Sequence, residues 1–238
     1  MVRASFTSVN IEDLVEQIAR LPSDWHGVGT MGENVLQSIA AHARALNIQH
    51  SVETGSGKTT LLFSHLSPDH RVFAMNYGDS ITQVRKSSLF NAASTTFVEG
   101  PTQRTLARYD FAHRHQLVLI DGPHGYPFPD AEYCSLYPTI DVGGLLIVDD
   151  ILIPSVGRMF EIIRAEDMFE LLEIVNGNTA FFRRTNARLI DPEGDDWWLQ
   201  GYNRSYYQQV TSPRHPSPAQ RLQSRFASLV KRRMTKKK

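Results

Sequence analysis

The chain has 238 residues, 41% hydrophobic and 10% aromatic, with 25 basic and 25 acidic side chains, which is ordinary globular usage and enough for one well-filled core. The single cysteine, Cys134, excludes an internal disulfide and any multi-cysteine zinc site, and no run reaches the roughly 18 apolar residues of a membrane span, so a cytoplasmic protein without a membrane span is expected. The zero net charge hides an asymmetry: all 25 acidic side chains lie in residues 1–200, and residues 201–238 carry Lys and Arg with no acid.

In chain order, Ile11, Leu14, Val15, Ile18 and Leu21 recur at three and four and predict a helix. The loop "SDWHGVGT" follows, with His26 read as lid or entrance structure. A second helical pattern runs through Val35, Leu36, Ile39, Ala40, Ala43 and Leu46. Short β-branched or aromatic runs then predict strands near 48–53, 71–76, 95–98, 116–121 and 143–149, with helix-length segments between them, including "DSITQVRKSSLFNAA" and "DAEYCSLYPTID". Strands alternating with helices imply a parallel sheet covered on both faces, because a parallel neighbour is reached only by a crossover. The runs 169–175 and 179–184 flank Asn176-Gly177-Asn178, a hairpin signal, so the last two strands should be antiparallel. Beyond them Trp197, Trp198, Tyr202, Tyr206 and Tyr207 form an aromatic-rich extension that suits ring stacking or a dimer contact, with a cover over the acceptor pocket, formed by this region or by the N-terminal loop "WHGVGTMG", as the preferred picture. The closing "LVKRRMTKKK" reads as a solvated terminus, with nucleic acid, acidic lipid or the protein's own acidic body as alternatives. The expected divisions are 1–47, 48–186, 187–210 and 211–238.

The first strand runs into "ETGSGKTT", residues 53–60, whose Gly57-Lys58-Thr59 resembles the end of a phosphate-binding P-loop. Val52 stands where that motif requires its first glycine, and P-loop sheets do not normally close on a hairpin. Gly55 and Gly57 have another use: lacking Cβ atoms, they let a ligand approach the backbone at the carboxyl end of the strand, ahead of a helix with unpaired N–H groups.

From about residue 33 to 185 the order of elements and motifs resembles class I S-adenosylmethionine-dependent methyltransferases, more narrowly the macrocin and rhamnosyl O-methyltransferases and the cephalosporin hydroxylase group. Three stretches carry it: "VETGSGKTT", "VLIDGPHGYPFPDAEY" and "VGGLLIVDDI". The resemblance implies a Rossmann-like α/β fold, a doubly wound and mostly parallel sheet ending in an antiparallel hairpin. It implies an acidic-x-G-x-G loop in which Glu53 faces the methionine part of S-adenosylmethionine and Gly55 and Gly57 line it, with Thr54, Ser56 and Asp121 also at the cofactor. Lys58 is then a surface residue. The second strand of such enzymes commonly ends in an acid that accepts the ribose hydroxyls; here it ends in Asn76, which brings no charge, and Asp79 is the alternative. Asn76 also reads simply as a turn residue.

Asp121, Asp149 and Asp150 end neighbouring strands, so their carboxylates converge on one rim and would repel one another unless a cation such as Mg²⁺ joined them. The alternative is structural, with Asp149 or Asp150 capping a helix or pairing with Arg158. His124, three residues past Asp121, is a candidate base or metal ligand, and alternatively a donor to a backbone carbonyl. With Asp121 it forms the expected catalytic pair. Cys134 falls in a helical segment and is expected to be packed. The leading expectation is O-methylation of a small molecule such as a sugar or secondary metabolite, with no nucleic-acid partner and with self-association left open. The alternatives are a P-loop nucleotide enzyme and a non-catalytic binding protein on a methyltransferase scaffold.

Overall fold

The computed structural model describes residues 9–25 and 31–211. His26 and the basic tail from residue 212 lie outside them. Among the described residues no helix is long and apolar enough to cross a membrane.

Two N-terminal helices, α1 (Ile11–Ala19) and α2 (Glu33–Ala43), precede the sheet. Asn10 caps α1 by accepting the N–H of Glu12, and Leu14, Val15 and Ile18 form its buried stripe. The strands are β1 (His50–Thr54), β2 (Asp69–Ala74), β3 (Thr95–Glu99), β4 (His115–Ile120), β5 (Ile140–Val148), β6 (Phe169–Val175) and β7 (Thr179–Arg184). Between them lie α3 (Lys58–Leu66), α4 (Ser80–Lys86), α5 (Thr102–Thr105), α6 (Phe128–Leu136) and α7 (Pro154–Arg164), and α8 (Gly201–Thr211) follows the sheet. The seven strands pair in the order β3-β2-β1-β4-β5-β7-β6. β1 to β5 run parallel, and β7 is antiparallel to both β5 and β6. The expected fold class is the one observed.

Alternation along the strands feeds two cores, because successive side chains face opposite sides of a sheet. Leu117 and Leu119 of β4 pack with α1, α2 and α3, while Val118 and Ile120 pack with α6 and α7. The hairpin turns through Asn176 and Gly177, both at positive φ, and the Asn178 N–H closes it on Val175. The predicted elements shift at their ends. β2 stops at Ala74, so Asn76 lies beyond it, and β5 starts at Ile140, taking the last two residues of the segment read as helical, "DAEYCSLYPTID". Cys134 is exposed on α6, a correction to the packed position expected for it. The described residues up to Tyr202 belong to one compact unit, and residues 203–211 belong to a second.

Candidate active site

Winding outward from β1 goes to β2 and β3 on one side and to β4 and β5 on the other, which leaves a crevice at the carboxyl ends of β1 and β4. A cavity of about 590 Å³ occupies that crevice, a size typical of cofactor sites. Its walls come from the loop Gly55–Lys58, the segments after β2 and β3, the turn Asp121–His124, and Asp149 and Asp150 after β5. Met31, Gly32 and Val35 at the start of α2 close it on the N-terminal side.

Gly55 sits at φ +85°, and a Cβ there would stand 2.4 Å from the carbonyl oxygen of Asp121. Only glycine satisfies both conditions, so the loop after β1 and the end of β4 come together because of it. Its N–H donates to the Phe73 carbonyl at 3.0 Å, tying the same loop to β2. Thr54 completes the junction: its hydroxyl accepts the Asp121 N–H at 3.0 Å and donates to Glu132 at 2.8 Å.

At the far end of the cavity, one ligand atom from each of Asp121, His124 and Asp150 lies within 4.8 Å of the others. His124 Nε2 stands 3.2 Å from Asp150 and 3.6 Å from Asp121, yet is buried without a well-aligned hydrogen bond. Asp150 is held in the left-handed region at φ 58°, and its other oxygen accepts the Asn178 amide at 2.9 Å. Burial pushes the Asp121 carboxyl up to about 7; His124 works against that shift, and Asp149 and Asp150 add to it. His124 is raised, first by its interaction with Asp121. The cluster therefore sets an acid raised to about 7 beside an imidazole raised above its ordinary value, a pair that can share a proton.

The comparisons agree with this fold. Residues 52–151 match the family model described as a methyltransferase domain. The O-methyltransferase NovP is 18% identical, with 74% of this chain and 98% of that one covered at a TM-score of 0.55. TomG, an O-methyltransferase of Streptomyces achromogenes involved in tomaymycin synthesis and solved in complex with SAM, is 12% identical, with 76% and 93% covered at 0.54. MycE, a methyltransferase of the mycinamycin biosynthetic pathway solved with Mg and SAH, is 15% identical, with 77% and 57% covered at 0.50. This is the class I methyltransferase fold. Comparison with curated proteins gave no match.

On this methyltransferase fold several expected residues sit elsewhere than foreseen. Glu53 does not line the cavity: its fully buried carboxylate accepts the hydroxyls of Thr59 and Thr60 and lies 3.2 Å from His70, so it clamps α3 to the sheet. Thr54 also stands behind the wall, while Gly55, Ser56, Gly57 and Asp121 are on it. Asn76 is exposed and outside the lining, both ends of its amide engaged by Thr82, and Asp79 does not line the cavity either. Asp149 lines the cavity but is outside the ligand cluster, because the Thr179 hydroxyl donates to it; His124 takes the third place. Lys58 is buried, not on the surface. Its ammonium donates to the Leu21 carbonyl at 2.7 Å and lies 3.5 Å from that of Ala19, at the end of α1. The lysine of the P-loop look-alike is thus spent on a helix terminus, where a cation complements the dipole. No lining residue comes from residues 187–202, so Trp197 and Trp198 do not cover the cavity; Met31 and Gly32 of the N-terminal loop do border it. Sequence reasoning missed Glu132, for which the spacing gave no signal.

Proposed function

We propose that the chain is an S-adenosylmethionine-dependent methyltransferase that methylates an oxygen of a small molecule such as a sugar or secondary metabolite. One observation carries the reading: the glycine-walled crevice at the winding reversal and the Asp121–His124–Asp150 cluster border the same cavity. The likeness to O-methyltransferases, one solved with SAM and another with Mg and SAH, supports it.

Methyl transfer is an in-line displacement at a sulfonium, so the protein mainly aligns donor and acceptor and removes a proton. The Gly55–Gly57 loop and the segments after β2 and β3 form the donor's berth, and the acidic wall complements the sulfonium charge. His124, with Asp121 beside it, is placed to receive the acceptor's hydroxyl proton. Asn178 and Thr179 hold Asp150 and Asp149 in position from the hairpin.

The orphaned Nε2 of His124 between two carboxylates fits a divalent cation held by Asp121, His124 and Asp150. Two oxygens and one imidazole nitrogen suit Mn²⁺ at least as well as Mg²⁺, which favours an all-oxygen octahedron. Bound there, a divalent cation supplies Lewis acidity to the acceptor hydroxyl. Calorimetry of the purified chain with S-adenosylmethionine and S-adenosylhomocysteine tests the reading. Saturable binding of both is expected, and no heat at millimolar ligand would sink it.

A further inference from the structure

Glu132 lies on α6, 2% exposed, and belongs to none of the sets above. One carboxyl oxygen accepts the Thr54 hydroxyl at 2.8 Å, and that hydroxyl accepts the backbone N–H of Asp121 at 3.0 Å. The other oxygen stands 2.0 Å from where a Cβ on Gly122 would be, so the carboxyl abuts the turn that carries Asp121 and His124. That second oxygen has no aligned hydrogen bond, and neither has the hydroxyl of Thr102, a buried residue of the cavity wall. Burial pushes the acid up to about 7, with Thr102 and Thr54 pulling the other way. An apolar side chain would fill the space between α6 and the sheet without desolvating an acid, so the carboxyl has a purpose other than filling. The same geometry explains the glycine of the Asp121–His124 turn: a Cβ on Gly122 would collide with Glu132.

We propose that Glu132 is a positioning residue, which through Thr54 fixes the backbone of Asp121 and, by abutting Gly122, the turn that carries the reacting groups. It does not line the cavity. The kinetic consequence rests on the methyltransferase reading, whereas the chain Glu132–Thr54–Asp121 does not.

The test uses the full chain as Glu132→Ala, Glu132→Gln, Thr54→Val and the double variant Glu132→Ala with Thr54→Val. Amide hydrogen exchange of the segment holding Asp121 is read by mass spectrometry, alongside kcat, KM and S-adenosylhomocysteine affinity. Glu132→Ala is expected to speed exchange at Asp121 and to lower kcat by at least about tenfold, with S-adenosylhomocysteine affinity changed by less than about threefold. Thr54→Val should do the same, and the double variant should lose clearly less than the sum of the two single losses, because both single variants break the Thr54 contact. Glu132→Gln keeps an oxygen for Thr54 and should restore exchange and kcat. Unchanged exchange at Asp121 in Glu132→Ala, additive losses in the double variant, or a Gln variant as poor as Ala would each overturn the proposal. If Glu132→Ala does not fold, exchange in Thr54→Val and Glu132→Gln still decides it. If the unsubstituted chain neither binds S-adenosylhomocysteine nor transfers methyl, the methyltransferase reading falls and the exchange data still judge the contact.

Discussion

Replacing Gly55 by Ala separates the two reasons for a glycine at the cavity wall, because Gly143 offers a control with the same φ. Both sit at +85°, but a Cβ on Gly143 meets nothing within 4 Å, whereas on Gly55 it stands 2.4 Å from the Asp121 carbonyl oxygen. An L-residue at positive φ costs about 1–2 kcal/mol. Forcing a methyl group into a filled space adds about 1–3 kcal/mol. Gly143→Ala should therefore lose about 1–2 kcal/mol, reduced slightly by the stiffer unfolded chain, and Gly55→Ala about 2–5 kcal/mol. At about 2–4 °C per kcal/mol for a domain of this size, the melting temperatures should fall by about 2–8 °C and about 4–20 °C. Circular dichroism melts give these values, and calorimetry with S-adenosylhomocysteine should show weakened binding in Gly55→Ala alone. If the two variants melt within about 2 °C of each other and bind equally, the close approach of β1 and β4 does not depend on this glycine.

Chelation should lower methyl transfer and Mn²⁺ or Mg²⁺ should restore it, while Asp150→Asn loses Mn²⁺ affinity by calorimetry and keeps cofactor binding; full activity in EDTA, with Asp150→Asn near wild type, would leave His124 as sole proton acceptor. The carboxyls of Asp121 and Glu132 rise from 3.8 and 4.5 to about 7, so their contribution to stability is fully present below the unfolded values and is lost as pH climbs through about 7. Metal-free wild type should thus melt lower at pH 8 than at pH 5, and Glu132→Gln should lose less over that interval; parallel melting curves across the interval would contradict the shift. Lys58→Met removes a buried charged hydrogen bond to the end of α1 and should cost about 1–3 kcal/mol in urea unfolding. ATP binding by the unsubstituted chain, abolished in Lys58→Met, would instead favour the P-loop reading.

The alternation of strand and helix periods, the Asn-Gly turn and the glycines after β1 were enough to give the sheet, its antiparallel end and the place of the cavity, because each is a local preference of the backbone. The direction of individual side chains was not local. Asp149 and Asp150 are adjacent in sequence, yet Thr179 holds one and the left-handed backbone swings the other toward His124. Asn76 looked like the ribose ligand only while β2 was extended two residues past Ala74, its actual end. Lys58 looked exposed because nothing near it in sequence announces that the last residue of α1 and the turn after it present the Ala19 and Leu21 carbonyls to its ammonium. Glu53 and Glu132 are both fixed by hydroxyl groups brought to them by the packing of α3 and α6 on the sheet, in the case of Thr54 and Glu132 across 78 positions of chain. Backbone preference and hydrophobic period determine which elements form, but the partner of a buried polar group is chosen by whatever the completed fold places within about 3 Å of it.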